Sequence, residues 1–524
     1  MKRDLADLQQ RQFDVVVVGG GIHGACIARD AALRGLDVAL VEQADFCSAT
    51  SHNSLKTIHG GIRYLQHLNL KRTIESIREQ QILLQTLPHL VKPIRFLMPT
   101  YGFGMRGPVA MGIGVGMFEM LNALVSVIDG RRLNAPKGRM MRAQTCERMA
   151  PGVNNESLTG GGMWADAQVT FADTAVLQIL QQAADSRANV ANDVRAERLL
   201  FDQDNPERVI GLHATDRRTG EPLEIKARCV VNATGPWAAN WIGESGQSKL
   251  SLEVGLVKSM NLVTDREALP HALAVKSKRA SDSKVDSAKR MFFVVPWQGK
   301  AVIGTTHFTH RDAGSEVAVN RDEMSAFVDE FNDAYPEMAL SMDNILYCYQ
   351  GLTPGDDEAG QDGAKLHESK IVDHSDTDGI RGMFSIVSIK WTTARLVAEK
   401  AVDQVLKQWN EPRSCATRKT VVPDYDTIPH RVSGLTDDEV RDFVTTHIEN
   451  TQAYRLSDVV LRRTNDLALG AMGAKQFVTI LRTMSQYFDW SPERRARETE
   501  QVLAQVPSLK YRNILIDELE AFEL

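Results

Sequence analysis

The chain is poor in the features that mark several whole classes of protein. Its 524 residues hold only six cysteines (Cys26, Cys47, Cys146, Cys229, Cys348 and Cys415), scattered, with no C-x-x-C pair and no metal-like spacing. That excludes a disulfide framework or a thiolate metal cluster as the organising device and leads us to expect reduced thiols in a cytoplasmic setting. A formal net charge of −6 leaves no basic excess for a phosphate backbone, which excludes the nucleic-acid binders. The N-terminus, Met1-Lys-Arg-Asp-Leu-Ala-Asp-Leu-Gln-Gln, lacks the apolar core of a signal peptide. Internal repeats and long low-complexity tracts are also missing. What is left, 43% hydrophobic and 24% charged residues, is the composition of a globular protein too long for one simple core, so two or three domains are expected.

The most informative stretch is Asp14-Val-Val-Val-Val-Gly-Gly-Gly-Ile-His-Gly24, followed by the apolar run Val38-Ala-Leu-Val41 and then Glu42. Four consecutive valines read as a buried parallel strand. Gly19, Gly21 and Gly24 have the G-x-G-x-x-G spacing of a tight turn, close pyrophosphate approach and close helix packing. A diphosphate would sit at the N-terminus of the following helix, and Glu42, at the end of the second strand, would accept hydrogen bonds from the ribose hydroxyls. Strand, glycines, helix, strand and acid in that order predict a dinucleotide cofactor, and hence an enzyme of the Rossmann-like α/β class.

Further punctuation organises the rest. A polar turn over 48–56 leads into Thr57-Ile-His-Gly-Gly-Ile-Arg-Tyr-Leu65 and a helix over Lys71 to Gln85; the glycines at 60 and 61 allow close backbone approach to a flat ring. Val230-Val-Asn-Ala-Thr-Gly-Pro-Trp237 reads as a second buried strand ending in a glycine turn. Met291 to Pro296 and Ala301 to Thr305 predict a β-hairpin around Trp297-Gln-Gly-Lys300, while Arg266 to Arg290 reads as a loop. Ile386 to Lys390 predicts a strand that gives way to a helix capped by Thr392 or Thr393. The stretch 410–430, with Pro412, Pro423 and Pro429, predicts a boundary before a helical tail. Pro108 to Ile128 is mostly apolar but carries Glu119 and several glycines, and Arg131-Arg132 follow. It makes a poor spanning helix, whereas peripheral membrane contact and a buried core helix both fit.

Taken together, several motifs resemble the FAD-dependent glycerol-3-phosphate dehydrogenases, within the glycine/D-amino-acid oxidase-like flavoproteins. They are Gly19-Gly-Gly-Ile-His-Gly24, Lys56-Thr-Ile-His-Gly-Gly-Ile-Arg-Tyr-Leu65, Val231-Asn-Ala-Thr-Gly-Pro-Trp237, Ile303-Gly-Thr-Thr306, Lys390-Trp-Thr-Thr-Ala-Arg395 and Val459-Val-Leu-Arg-Arg-Thr464, and the resemblance spans nearly the whole chain. It implies a Rossmann-like FAD-binding domain, a β-sheet substrate domain and a C-terminal helical domain. The implied body covers 1–410, with FAD-binding segments near 11–90, 150–240 and 370–410 and substrate segments near 91–149 and 241–369; the helical domain covers 411–524. It also implies oxidation of sn-glycerol 3-phosphate to dihydroxyacetone phosphate, a hydride passing to flavin N5 and the electrons onward to a quinone. Such a route makes contact with the inner face of the cytoplasmic membrane sensible. No residue stands out as a covalent attachment site, so noncovalent FAD is expected.

For FAD the resemblance implies Gly19, Gly21, Gly24, Glu42, Thr50, Ser51, Ser54, His59, Gly60, Ala233, Thr234, Gly235, Trp237, Lys390 and Thr392. For substrate it implies Arg63, Tyr64, Lys258, Thr353 and Lys390, with His59, Arg63 and Lys390 in the chemistry; no metal is implied. Arg63 is suited to a two-pronged grip on phosphate or carboxylate, and Lys390 to the anionic edge of a reduced flavin. Histidine is the residue type suited to proton transfer near neutral pH, which makes His59 a candidate proton acceptor or flavin-orienting group, although a histidine donating one structural hydrogen bond fits equally.

The departures cluster on the substrate side. Where the family carries Gly-x-Arg-Pro this chain reads Gly351-Leu-Thr-Pro354, its Lys-Gly-Ser-His segment becomes Lys258-Ser-Met-Asn261, and the acid after Ile-Gly-Thr-Thr becomes His307. Losing a bidentate arginine removes on the order of 1.5–3 kcal/mol. Two alternatives therefore stand beside the leading one: a flavin dehydrogenase of another small hydroxy acid, polyol or amine, and a flavin-binding assembly subunit without turnover. The acidic run Gly355 to Gly363 reads as a solvated loop.

Overall fold

The structure is a computed structural model that describes residues 1–104, 107–130, 135–279, 290–310, 320–356, 365–366, 369–425 and 430–520. Arg131-Arg132, and the acidic run beyond position 356, lie outside the described residues.

The valine run does what its composition requires. Gln12–Val18 lies in the middle of an eight-stranded sheet, between Pro222–Asn232 and Val38–Val41, and pairs parallel with both. Val15 to Val18 are at most 5% exposed because helices cover one face and a β-hairpin layer the other. Register brings three strand ends into line: Val18 is opposite Asn232 on one side and Val41 on the other. The chain leaves all three strands at one edge, so Gly19, Glu42 and Ala233, far apart in sequence, become neighbours. Met383–Val387 extends the same sheet beyond Pro222–Asn232 and delivers Lys390 to that edge.

A second, ten-stranded sheet carries the other half of the cavity. Leu256–Glu267 runs antiparallel between Lys300–His310 and Ile345–Asp356, with Ser259 facing His307 and Gly351. The expected hairpin is present as Met291–Trp297 and Lys300–His310 around Gln298-Gly299. Helix Arg321–Ala334 packs on the face away from the cavity through Met324, Phe327 and Phe331.

Three expectations need correction. Leu158–Val169, inside the 150–240 span expected to bind FAD, is hydrogen-bonded into the second sheet against Val91–Tyr101, because its eleven partners there outweigh sequence proximity to the cofactor segments. The stretch 266–290, read as a loop, contains the buried strand Ala272–Lys276, paired with Met291–Trp297; its 280–289 portion lies outside the described residues. Neither Thr392 nor Thr393 caps helix Ala394–Trp409 by side chain: Thr393 holds the cap position without a side-chain bond, and the Thr392 hydroxyl accepts the His59 backbone N–H instead, at 3.1 Å.

Helices Asp437–Thr451, Ala474–Phe488, Pro492–Leu503 and Leu509–Glu520 follow the proline-rich stretch. Their apolar faces join one hydrophobic cluster with Trp297, Tyr347 and Tyr349 of the second sheet, so this region shares its core with that sheet. Arg462 and Arg463 also grip the buried Asp45, at 2.6 and 2.7 Å, beside the cofactor loop. Burial pushes the Asp45 carboxyl up, but Arg463 and Arg462 outweigh it and hold it at about 2.

Candidate active site

One cavity of ≈ 2460 Å³ runs from the aligned strand ends to the face of the second sheet. That exceeds the roughly 300–1,000 Å³ of a pocket for one drug-sized ligand and suits a dinucleotide with a small substrate beside it.

At the first-sheet end the cradle is mostly backbone. Gly19 has φ +110°, and a Cβ there would sit 2.6 Å from the Ala233 carbonyl oxygen. A Cβ on Gly24 would overlap the Gly19 carbonyl oxygen, so the helix can approach the strand this closely only with glycine at both positions. The N-terminus of helix Ile22–Leu33 faces the cavity, and the Ser51 hydroxyl accepts the Ile22 N–H at 3.0 Å. Glu42 accepts the N–H groups of Gly20 (2.7 Å) and Ala44 (2.8 Å). Burial pushes its carboxyl up, and those two N–H groups oppose the shift. Helix terminus, glycine turn and acid together fit the diphosphate and ribose of a dinucleotide. Gly21, Thr50, Ser54, Thr234, Gly235 and Trp237 also line this part. Gly24 and Gly60 do not; they act by close packing, and a Cβ on Gly60 would meet Phe118 at 2.6 Å.

Where the two sheets meet, His59, Arg63, Tyr64 and Lys390 converge on the cavity. The Lys390 ammonium lies 4.0 Å from the Tyr64 ring centroid, a cation–π contact that fixes its direction. Arg63 is exposed to the cavity and makes no ion pair among the described residues. The His59 side chain is 49% exposed, and its Nδ1 lies 3.9 Å from the buried Asp166 carboxylate. Asp166 was not legible as a site residue. It accepts the Gly60 N–H (2.6 Å), the Gln80 amide (3.0 Å) and the Trp164 indole N–H (3.0 Å), and so anchors the His59–Gly60 turn. Its only sequence signal is a carboxylate inside an otherwise apolar, glycine-rich strand.

The second-sheet face presents Ser259, Asn261, Thr305, His307 and Thr353 to the cavity. Lys258 departs from expectation. Strand alternation turns it to the opposite face, where it pairs with Glu323 of helix Arg321–Ala334, and it does not line the cavity. Thr353 lines the cavity with its hydroxyl 3.5 Å from the Val257 carbonyl. His307 Nδ1 and the Ser259 hydroxyl are 2.9 Å apart. Burial, then Arg290 and Arg63, lowers the His307 pKa to about 4, so its imidazole is neutral at pH 7.

Helix Pro108–Ile128 forms the mouth of the cavity through Ala110, Met111, Ile113, Gly114 and Met117. Val115, Phe118, Leu121 and Val125 pack inward, whereas Val109 (73%), Ile113 (63%) and Val127 (79%) are exposed. The sequence left buried and interfacial readings open, and this helix is apolar on its buried and its exposed side alike.

A sheet with a glycine-turn diphosphate cradle, meeting a second sheet at a cavity where a histidine, an arginine and a lysine converge, defines a flavin-type oxidoreductase architecture. A family model described as DAO, FAD-dependent oxidoreductase, matches residues 14–403, and the chain belongs to that family. It is an FAD-dependent oxidoreductase. Relatives include a glycerol-3-phosphate dehydrogenase of Synechocystis sp., 29% identical over 90% of this chain and 84% of its own. An aerobic glycerol-3-phosphate dehydrogenase of Staphylococcus saprophyticus is 28% identical over 87% of this chain and 78% of its own. The fold is shared with the glycerol-3-phosphate dehydrogenase of Bacillus halodurans complexed with FAD: TM-score 0.72, 24% identity, covering 97% of this chain and 96% of that one.

Proposed function

We propose that this protein oxidises sn-glycerol 3-phosphate to dihydroxyacetone phosphate and passes the electrons to a quinone. The observation that carries the reading is the convergence of His59, Arg63 and Lys390 on one cavity with the dinucleotide cradle. Bound FAD supplies the two-electron acceptor for the carbinol carbon. His59 takes the hydroxyl proton, with Asp166 holding the turn that carries it. Arg63 grips the phosphate, and Lys390, aimed by Tyr64, adds positive charge where negative charge develops. The relatives named glycerol-3-phosphate dehydrogenase support the substrate.

The apolar outer face of helix Pro108–Ile128 supports a peripheral site on the inner face of the cytoplasmic membrane, with the cavity mouth at the lipid surface where a quinone arrives. Flotation with phospholipid vesicles, lost in a variant with Val109, Ile113 and Val127 changed to serine, is the expected result. For the activity itself, the purified holoenzyme is titrated anaerobically with sn-glycerol 3-phosphate, then glycerol, lactate and 2-hydroxyglutarate. Fast bleaching of oxidised flavin by glycerol 3-phosphate alone supports the reading; bleaching only by another compound overturns the substrate. Thr353, in place of a cation, favours a second reading in which the substrate is a different small hydroxylated compound.

A further inference from the structure

A chain of buried polar side chains that the proposed chemistry does not use ends on the cofactor cradle. Asn232, the last residue of strand Pro222–Asn232, has no exposed surface. Its amide clamps the turn that follows: Oδ1 accepts the Thr234 N–H at 3.2 Å and the Thr234 hydroxyl at 2.7 Å, while Nδ2 donates to the Ala238 carbonyl at 3.0 Å. This 233–238 turn is cradle wall, since the Ala233 carbonyl packs on Gly19 and Thr234, Gly235 and Trp237 line the cavity. The second Nδ2 hydrogen goes to the hydroxyl of Ser385, directly opposite on strand Met383–Val387, at 3.3 Å. Ser385 Oγ lies 2.8 Å from His374 Nε2, and His374 Nδ1 lies 2.5 Å from the Asp378 carboxylate. Ser385 and His374 are as buried as Asn232. An aspartate, a histidine and a serine in this order can activate a nucleophile, but here the hydroxyl is sealed from solvent and held by an amide on its other side.

The direction of every hydrogen bond in the chain follows from the backbone outward. A peptide N–H can only donate, so the Thr234 N–H turns Asn232 Oδ1 toward the turn and leaves Nδ2 facing Ser385. Ser385 then accepts from Asn232 and has one proton to give, for which His374 Nε2 is the acceptor within reach among the described residues. Nε2 therefore carries no proton. From the far end, Asp378 also accepts the Thr377 hydroxyl at 2.8 Å and the Ser251 hydroxyl at 3.2 Å. Burial pushes the Asp378 carboxyl up, but hydrogen bonds from His374 and Thr377 outweigh it and hold the group below its ordinary value. A carboxylate can only accept, so His374 Nδ1 bears the proton. Both ends require the same neutral imidazole.

We propose that His374 is a positioning residue for FAD: as the neutral Nδ1–H tautomer it fixes Ser385 and Asn232, and through them the 233–238 turn, in the shape that receives the cofactor. An imidazole suits the place because one ring nitrogen accepts from the serine while the other donates to the aspartate. Without it, the Ser385 proton and the Asn232 amide lose their fixed orientation in an interior where an unpaired polar group is costly. The role concerns cofactor retention and holds whichever substrate the enzyme takes.

The test removes FAD from the full chain and measures its return by quenching of FAD fluorescence. S385A and H374A are each expected to raise the FAD Kd about tenfold, whereas H374Q, which can still accept from Ser385 and donate to Asp378, stays within about threefold of the unaltered protein. I386V loosens the same strand without touching the chain, and its FAD Kd is expected to move less than about twofold. In the unaltered holoenzyme labelled with 15N-histidine, the resonances that vanish in H374Q should show the neutral ring protonated on Nδ1.

H374A or S385A binding FAD as tightly as the unaltered chain overturns the proposal. So does H374Q as weak as H374A, I386V as weak as S385A, or a His374 signal of the other tautomer or of imidazolium. If H374A fails to fold, H374Q, S385A and the nitrogen spectrum still decide the matter. None of these readouts involves a substrate, so their failure leaves the dehydrogenase reading intact.

Discussion

The two ends of the cavity are built by different means. At the cofactor end, backbone does the holding: Gly19 and Gly24 make room, the helix at Ile22 presents N–H groups, and Glu42 sits at a strand end. At the substrate end, side chains do it, and the important neighbours are cross-strand pairs from positions 259, 261, 305, 307 and 353. The cofactor end therefore tolerates no change of shape, because a Cβ collides with main chain. Residues at the substrate end can change type while the strands stay in register, and this is where the chain departs from the glycerol-3-phosphate dehydrogenases it resembles. A fold with a rigid cofactor cradle can thus acquire a different substrate by altering a few strand positions.

The largest expected effect tests the rigid end. Gly24→Val should abolish FAD binding, since the new side chain would overlap the Gly19 carbonyl; the purified variant is expected to be colourless, and a yellow, FAD-loaded variant would contradict the cradle. Next, His59→Ala is expected to slow anaerobic flavin reduction by roughly 10²–10⁴-fold while retaining FAD, in keeping with loss of a positioned base. Asp166→Asn, acting through the His59–Gly60 turn, should lower the rate less and shift its pH profile; unchanged kinetics would leave Asp166 a purely structural group.

Arg63→Ala should raise the Kd of an anionic substrate by roughly tenfold to a hundredfold, with a smaller change in the maximal rate, as expected for loss of a charge-assisted grip. Conversely, Thr353→Arg restores a cation on the flexible side and should tighten glycerol 3-phosphate binding about tenfold. No gain there would mean that Arg63 already meets the phosphate's demand for charge.

The smallest effect is a pH dependence at the substrate end. The His307 pKa is lowered to about 4 in the folded state against ~6.5 unfolded, so between those values the unfolded chain binds the extra proton. The contribution is fully present above pH ~6.5 and is lost as the pH falls toward 4. Urea unfolding of His307→Gln should show a slope of stability against pH up to one proton smaller in that window. An unchanged slope would place a charged imidazole in the native cavity.

How much of this was legible in the sequence follows from the same division. The strand–glycine–helix–strand–acid order is local, and Gly19, Gly24 and Glu42 stand where a contiguous motif puts them. The Met291–Trp297 hairpin was readable because its turn lies between its strands. Lys258 was misplaced by one step of strand alternation, which motif similarity does not resolve once its neighbours differ. Asp166 escaped notice because two of the groups it serves, Gly60 and Gln80, come from elements far along the chain. The side-chain cap expected of Thr392 or Thr393 failed because the Thr392 hydroxyl is taken by His59, 333 residues away.

By itself, then, the sequence determined the cofactor class and the α/β cradle, because backbone conformation and steric room are set by which residues are glycine and which strands are continuously apolar. Only the tertiary structure decided which polar groups share the substrate cavity and which, like Lys258, are turned away from it and paired on a helix behind the sheet. The reason is that charge and hydrogen bonding depend on what lies within a few ångströms in space, and in a ten-stranded sheet those neighbours come from far along the chain.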